Sequence, residues 1–227
     1  MSRISAAQLA ARIDHTLLKP EATASQIEQL CEQAMRFNFW GVCVNLIRVP
    51  RAVELLAEAN SQVKVVTVVA FPTGAIPTAL KVAQTRWALD HGADEIDMVA
   101  NIGALCGGED ELVRDDIAAV AETIKASSKD KLLKVILETA ALNSQQKIRG
   151  CRLAAEAGVD FVKTSTGTHP AGGATVEDVT LLAENAGDMK VKAAGGIRDA
   201  ATALAMLEAG AERIGTSRGP AIVDELK

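Results

Sequence analysis

Lysine side chains stand at two places where a buried strand should stay apolar: Lys163 in DFVKTSTG (160–167) and Lys192 in MKVKAAGG (189–196). A lysine amine attacks a carbonyl only when neutral, and an ordinary pKa of about 10.4 leaves almost none neutral near physiological pH. Burial lowers that value, and so does a nearby positive charge. Two lysines at strand ends can use both effects. The neutral amine adds to a carbonyl carbon, water leaves, and the protonated imine takes up the electrons released when an adjacent C–C bond breaks. The protons that move need another group, and Asp97 in DEIDMVAN (94–101) suits that task. The set predicts a metal-free aldolase or a related carbonyl lyase.

Side-chain alternation puts these groups on one side of a sheet. In LLKVILE (132–138), Lys134, Ile136 and Glu138 share a face opposite Leu133, Val135 and Leu137. In DEIDMV, Glu95, Asp97 and Val99 oppose Ile96 and Met98. Lys163 lies on the face of Phe161 and Ser165, and Lys192 on the face of Ala194. The more uniformly apolar faces should pack against helices. The other faces would bring Asp97, Lys134, Glu138, Lys163 and Lys192 into one interior. A single strand lysine reads as easily as a snorkelling residue or half an ion pair. Three with acidic partners favour chemistry.

The segments around them alternate strand and helix. Strands are expected at 13–18, 41–46, 63–71, 94–101, 132–139, 160–165, 189–194 and 213–217. Helices are expected between them. Thr23 with Gln26 forms a capping-box pattern, Pro50 suits a first helical turn, Asn143 an N-cap, and Gly92 a helix end. A helix is expected near 109–126, another at 175–185 and a short one at the C-terminus. Eight strand–helix units after one extra N-terminal helix predict a single (β/α)8 barrel domain over 1–227. An open doubly wound sheet is the rival. It lacks the G-x-G-x-x-G turn of its dinucleotide-binding version.

Gly195 and Gly196 in AAGGIRDA (193–200) mark the turn after the seventh strand, and IGTSRGPA (214–221) repeats the pattern after the eighth. Glycine lets backbone N–H groups approach an anion, and barrels often bind phosphate at these two turns. Arg198 and Arg218 could add charge there, though an exposed arginine is more often a solvated surface residue.

The 227 residues carry a net charge of −5 at pH 7, which gives no electrostatic reason to bind nucleic acid or an anionic membrane. No secretory leader or membrane-spanning run is apparent. Cys31, Cys43, Cys106 and Cys151 lack C-x-x-C spacing and read as reduced thiols of a cytoplasmic protein. His15, His91 and His169 form no zinc motif, so a metal site is not expected.

The segments DHTLLKPEAT, GVCVN, FPTG, DEIDMVANIGAL, LKVILET, DFVKTSTG, KAAGGIRD and RIGTS run in order through nearly the whole chain, and together they resemble the deoxyribose-phosphate aldolase family. That resemblance implies a class I (β/α)8 aldolase without cofactor. It would split 2-deoxy-D-ribose 5-phosphate reversibly into D-glyceraldehyde 3-phosphate and acetaldehyde. Lys163 would be the Schiff-base lysine, Lys192 its perturbing neighbour, and Asp97 the proton donor and acceptor. Asp14, Thr16 and Cys43 would lie near the substrate hydroxyls, with Lys134 counted among the binding residues. Gly167, Gly196, Gly215 and Ser217 match the phosphate turns. The partners implied are a phosphorylated sugar and aldehydes, in a homo-oligomer, dimer or tetramer.

Three features depart from the family pattern. THPAGGAT follows the DFVKTSTG segment where many members carry Phe-Gly-Pro-Gly-Gly, so Thr168 and His169 line an unusual loop. His169 reads first as an exposed loop histidine and second as a phosphate contact. Arg218 stands where a second serine is common. The chain has no tyrosine, so a C-terminal tyrosine used by some members must be replaced by water or another group. Two alternatives stay open. One is a class I aldolase with shifted aldose acceptor specificity; the other is a non-catalytic sugar-phosphate-binding barrel.

Overall fold

The structure is a computed structural model and describes residues 4–227. Eight parallel strands form the wall of a barrel: β1 (Ile13–Leu17), β2 (Gly41–Val44), β3 (Lys64–Val69), β4 (Glu95–Val99), β5 (Leu132–Ile136), β6 (Phe161–Lys163), β7 (Lys190–Ala194) and β8 (Arg213–Thr216). Each pairs with the next, and β8 returns to β1 through Ile13↔Ile214 and Asp14↔Gly215. Closure leaves no free sheet edge.

The helices are α1 (Ala6–Ala10), α2 (Ala24–Phe37), α3 (Val49–Glu58), α4 (Thr78–Asp90), α5 (Ile102–Gly107), α6 (Asp110–Ser127), α7 (Ser144–Glu156), α8 (Val176–Asn185), α9 (Ala200–Glu208) and α10 (Gly219–Asp224). The expected alternation is present, and α1 is the extra N-terminal helix, packed against α10. Local chemistry sets the helix starts. Thr23 and Asn143 form capping boxes with Gln26 and Gln146, and Pro50 lies in the first turn of α3. α4 stops at Asp90, and Gly92 turns the chain in the left-handed region at φ +92°.

The β4–β5 connection differs from expectation. A short helix, α5, precedes α6. The Asn101 side chain accepts a bond from Ala104 N at 3.1 Å to start α5, and Gly108 ends it at φ +78°. So short a helix shows no apolar period in the sequence.

The core has two parts. Ile96, Met98, Leu133, Val135, Val162, Val191 and Ala193 join helix residues such as Ile27, Leu30, Ile117 and Leu182 between sheet and helix ring. Burying each of the larger side chains contributes about 1.5–3 kcal/mol. A separate apolar cluster of Cys43, Val66 and Val68, flanked by Leu18 and Phe71, occupies the other strand face. The strands therefore turn apolar side chains to the helices and keep the opposite parity for the barrel interior.

Candidate active site

Register brings the charged residues together. Asp97 pairs with Lys134 across β4 and β5, Lys163 with Lys192 across β6 and β7, and Lys192 with Arg213 across β7 and β8. In a closed barrel, side chains of this parity all point into the one interior. The Asp97 carboxylate accepts from Lys134 Nζ at 2.9 Å, Lys163 Nζ at 2.8 Å and Lys192 Nζ at 2.7 Å. Asp97, Lys134 and Lys192 are wholly buried, whereas the Lys163 side chain keeps 4% exposure.

Asp14 and Glu95 extend this cluster. Asp14 pairs with Lys192 and accepts from Arg213 at 2.9 Å. Glu95 pairs with Lys134 and accepts from Arg213 at 3.3 Å and from the indole N–H of Trp40 at 2.8 Å. Arg213 also lies over the Trp40 ring, 4.0 Å from its centroid. Arg213, Glu95 and Trp40 were not among the residues singled out for chemistry. The signal for Arg213 was present: a charged residue in a short strand, with the parity of Gly215.

Electrostatics fix the protonation of most members. Burial alone would raise Asp97, but Lys134, Lys163 and Lys192 hold it well below the usual carboxylate range. Burial opposes charge on Asp14 too, yet Lys192 and Arg213 keep it low. Burial disfavours charge on Lys192, but Asp14 and Asp97 outweigh it and raise its pKa. Lys192 is therefore a fixed cation beside Lys163. Burial pushes the Cys43 thiol up to about 11, so Cys43 presents a neutral thiol to the cluster.

Glu138 falls outside this cluster. β5 ends at Ile136, and Glu138 adopts φ +59°, which ends the strand alternation that put it with Lys134. Its buried carboxylate accepts from Thr166 N at 3.3 Å and Thr166 Oγ1 at 2.5 Å, tying the end of β5 to the β6–α8 loop.

The remaining candidates lie around the C-terminal ends of the strands. Thr16 is half-buried and donates to Asp14 O at 2.9 Å. Gly167 (φ +82°) and Gly196 (φ +82°) are exposed in successive loops, and Ser217 and Arg218 are exposed after β8. A Cβ on Gly173 would stand 2.3 Å from Gly195 O, so the loops after β6 and β7 touch backbone to backbone. Thr216 Oγ1 donates to Ile197 O at 2.8 Å and joins the next pair of loops. Gly215 lies within β8, where a Cβ would meet Lys192 Cε at 3.2 Å; its missing side chain makes room for that lysine. His169 turns into its own loop and accepts from Ala171 N at 3.2 Å. Among the described residues no cluster of His, Cys, Asp and Glu could hold a metal ion. No described helix is long and apolar enough to cross a membrane.

Comparison with known proteins agrees with this chemistry. A family model described as DeoC/LacD family aldolase matches residues 8–224. The chain is 53% identical over 216 residues to the deoxyribose-phosphate aldolase of Brevibacillus brevis, covering 95% of both chains. It is 54% identical over 217 residues to that of Thermococcus gammatolerans, again covering 95% of each. The tetrameric deoxyribose phosphate aldolase structure from Aeropyrum pernix superposes with a TM-score of 0.90 at 30% identity, covering 97% of this chain and 92% of that one. A barrel whose interior gathers three ammonium groups on one carboxylate, in a chain matched almost end to end by such relatives, belongs to the DeoC/LacD aldolase family.

Proposed function

We propose that Lys163 forms the Schiff base in the reversible cleavage of 2-deoxy-D-ribose 5-phosphate to D-glyceraldehyde 3-phosphate and acetaldehyde. The observation that carries the assignment is its pairing. Among the described residues, Lys134, Lys192 and Arg213 each hold two carboxylates, while Lys163 holds only Asp97 and shares it with two other ammonium groups. It is the cation least committed to the cluster and the lysine of the cluster with residual exposure.

The Lys163 amine adds to C1 of the open-chain sugar, and loss of water gives the protonated imine. Removal of the C3 hydroxyl proton lets the C2–C3 electron pair move toward the imine carbon, whose own π pair passes to nitrogen. D-Glyceraldehyde 3-phosphate leaves, and an enamine remains. Protonation at C2 and addition of water release acetaldehyde and restore the amine. Asp97 bonds both Lys163 and Lys192 through Oδ2, so it can relay protons between them. Held anionic by three ammonium groups, it carries a proton only in passing.

Asp14, Thr16, Cys43 and Lys134 surround the hydroxyl-bearing part of the substrate in this reading. Gly167, Gly196, Gly215 and Ser217 belong to the phosphate end, where exposed Arg198 and Arg218 supply positive charge. Thr168, His169 and Arg218 are the positions at which acceptor preference would differ from relatives. The barrel acts as one domain in a cytoplasmic homo-oligomer, dimer or tetramer. Exposed Ile47 and Leu80 offer apolar contact area, and light scattering measures the state.

Borohydride reduction with acetaldehyde, followed by peptide mapping, tests the assignment. An ethyl adduct on Lys163 is expected. An adduct absent, or spread over surface lysines, overturns it and favours a non-catalytic sugar-phosphate-binding barrel.

A further inference from the structure

The ion pairs beneath Lys163 form a closed ring. From Asp97 it passes to Lys134, Glu95, Arg213, Asp14 and Lys192, then back to Asp97. Three carboxylates alternate with three cations, so the ring is neutral, and Lys163 hangs from it at Asp97. Asp97 and Lys163 touch neither Asp14, Glu95 nor Arg213; with Asp14 already assigned to the substrate hydroxyls, Glu95 and Arg213 are the two ring members without a role. Both are buried, 2% and 4% exposed, and the half-exposed Trp40 bonds one and stacks on the other.

We propose that Glu95 and Arg213 are positioning residues for the aldol reaction: they close the ring from the side away from Lys163 and fix the charge against which the Lys163 amine reacts. The inference rests on the Schiff-base reading of Lys163. Without Glu95, Lys134 and Arg213 each lose a partner and are left to Asp97 and Asp14. Without Arg213, Asp14 and Glu95 bear on Lys192 and Lys134 alone.

The charged groups around Lys163 come from five strands and from Glu138, which lies beyond β5 beside the end of β6 and is held by Thr166. Asp97 and Glu95 come from β4, Lys134 from β5, Lys192 from β7, Arg213 from β8 and Asp14 from β1. Cys43 adds a neutral thiol from β2, while Val66 and Val68 of β3 are apolar. Lys190 of β7 is exposed, with its Nζ 5.9 Å from the Phe161 ring centroid. A change of one charge in the ring should therefore reach Lys163 little compensated.

The test is the pH profile of borohydride trapping with acetaldehyde on the full chain. Glu95→Gln leaves the ring one charge positive, which disfavours the Lys163 ammonium, and the trapping midpoint falls by about one pH unit. Arg213→Gln leaves it one charge negative, and the midpoint rises by about as much. The double variant restores neutrality and returns the midpoint toward wild type. A merely structural role lowers thermal stability without shifts of opposite sign.

Unmoved midpoints, or midpoints that move the same way, overturn the proposal. Where a single variant fails to fold, Trp40→Phe carries the test from a half-exposed site. It removes the indole N–H dipole from Glu95, leaves the charge of that carboxylate less offset, and raises the midpoint by a few tenths of a pH unit. An unchanged midpoint there overturns the proposal as well. A wild-type chain that traps nothing on Lys163 overturns the Schiff-base reading instead, so the two failures are distinct.

Discussion

Lys81 and Lys163 are both buried lysines on aspartates, yet their surroundings differ. Lys81 lies between α4 and α6, donating to Asp116 at 2.5 Å and to Val99 O at 3.0 Å, while Thr78 donates to the other Asp116 oxygen at 2.8 Å. Burial lowers its pKa despite Asp116, but it is wholly enclosed and, among the described residues, is the one cation on that acid. Lys163 shares its acid with two ammonium groups at the end of a barrel strand. Desolvation can loosen the proton of a lysine, but reaction also needs a path for a carbonyl and a route for the proton. The Lys81 pair fastens α4, α6 and the end of β4 together; the Lys163 cluster leaves one amine at its margin.

The sharpest way to break this contrast is to remove each lysine in turn. Lys163→Ala should lose retro-aldol turnover by on the order of 10⁵-fold or more and yield no trapped adduct, while circular dichroism shows a folded barrel. Turnover in a folded variant would end the assignment. Lys81→Met should instead cost about 3–5 kcal/mol of stability in urea titration, because Asp116 is left buried without a cation. Its trapping profile should match wild type, and replacing Asp116 by Leu as well should recover most of the stability. A shifted profile in Lys81→Met would erase the distinction between the two sites.

A finer contrast concerns the second cation. Lys192→Met removes a positive charge beside Lys163, so imine trapping should require a pH higher by about one unit, with turnover reduced. An unchanged profile would remove Lys192 as the charge that disfavours the neighbouring ammonium.

The smallest effects should appear in stability against pH. Asp14 and Asp97 have depressed pKa values in the fold, so their contribution is present above the unfolded carboxylate value of about 3.9 and is lost as acid titrates them below it. His15 is held neutral by burial, so its contribution is full above the ordinary 6.5 and begins to fall beneath it. Thermal melts from pH 8 to 3 should show a shallow decline below 6.5 and a steep one below about 4. Asp14→Asn should flatten the steep part; an unchanged acid limb would place that dependence elsewhere.

Much of this site was legible because strands alternate with period two. That regularity put Lys134, Asp97, Lys163 and Lys192 on one side before any fold was known. It failed at Glu138, where the strand has already ended and a left-handed residue redirects the chain. It did not identify Gly215 as room for Lys192, since glycine in a strand and glycine in a turn look alike in sequence. The pairing of Glu95 and Arg213 was hidden for another reason. It depends on how β8 meets β1 and on side chains reaching across the barrel, distances that no local pattern encodes. The helix α5 was missed because so short a segment has no period to read.

The closed circuit of charges has a further consequence for durability. In a linear chain of contacts, one rupture splits the chain in two. In a circuit, one rupture leaves every member held by its other neighbour, and only two simultaneous ruptures set a fragment loose. Thermal agitation breaks single contacts often and chosen pairs far more rarely. The Lys163 amine is thus hung from a fault-tolerant support, and its acid stays in place through the brief failures that any one bond must suffer.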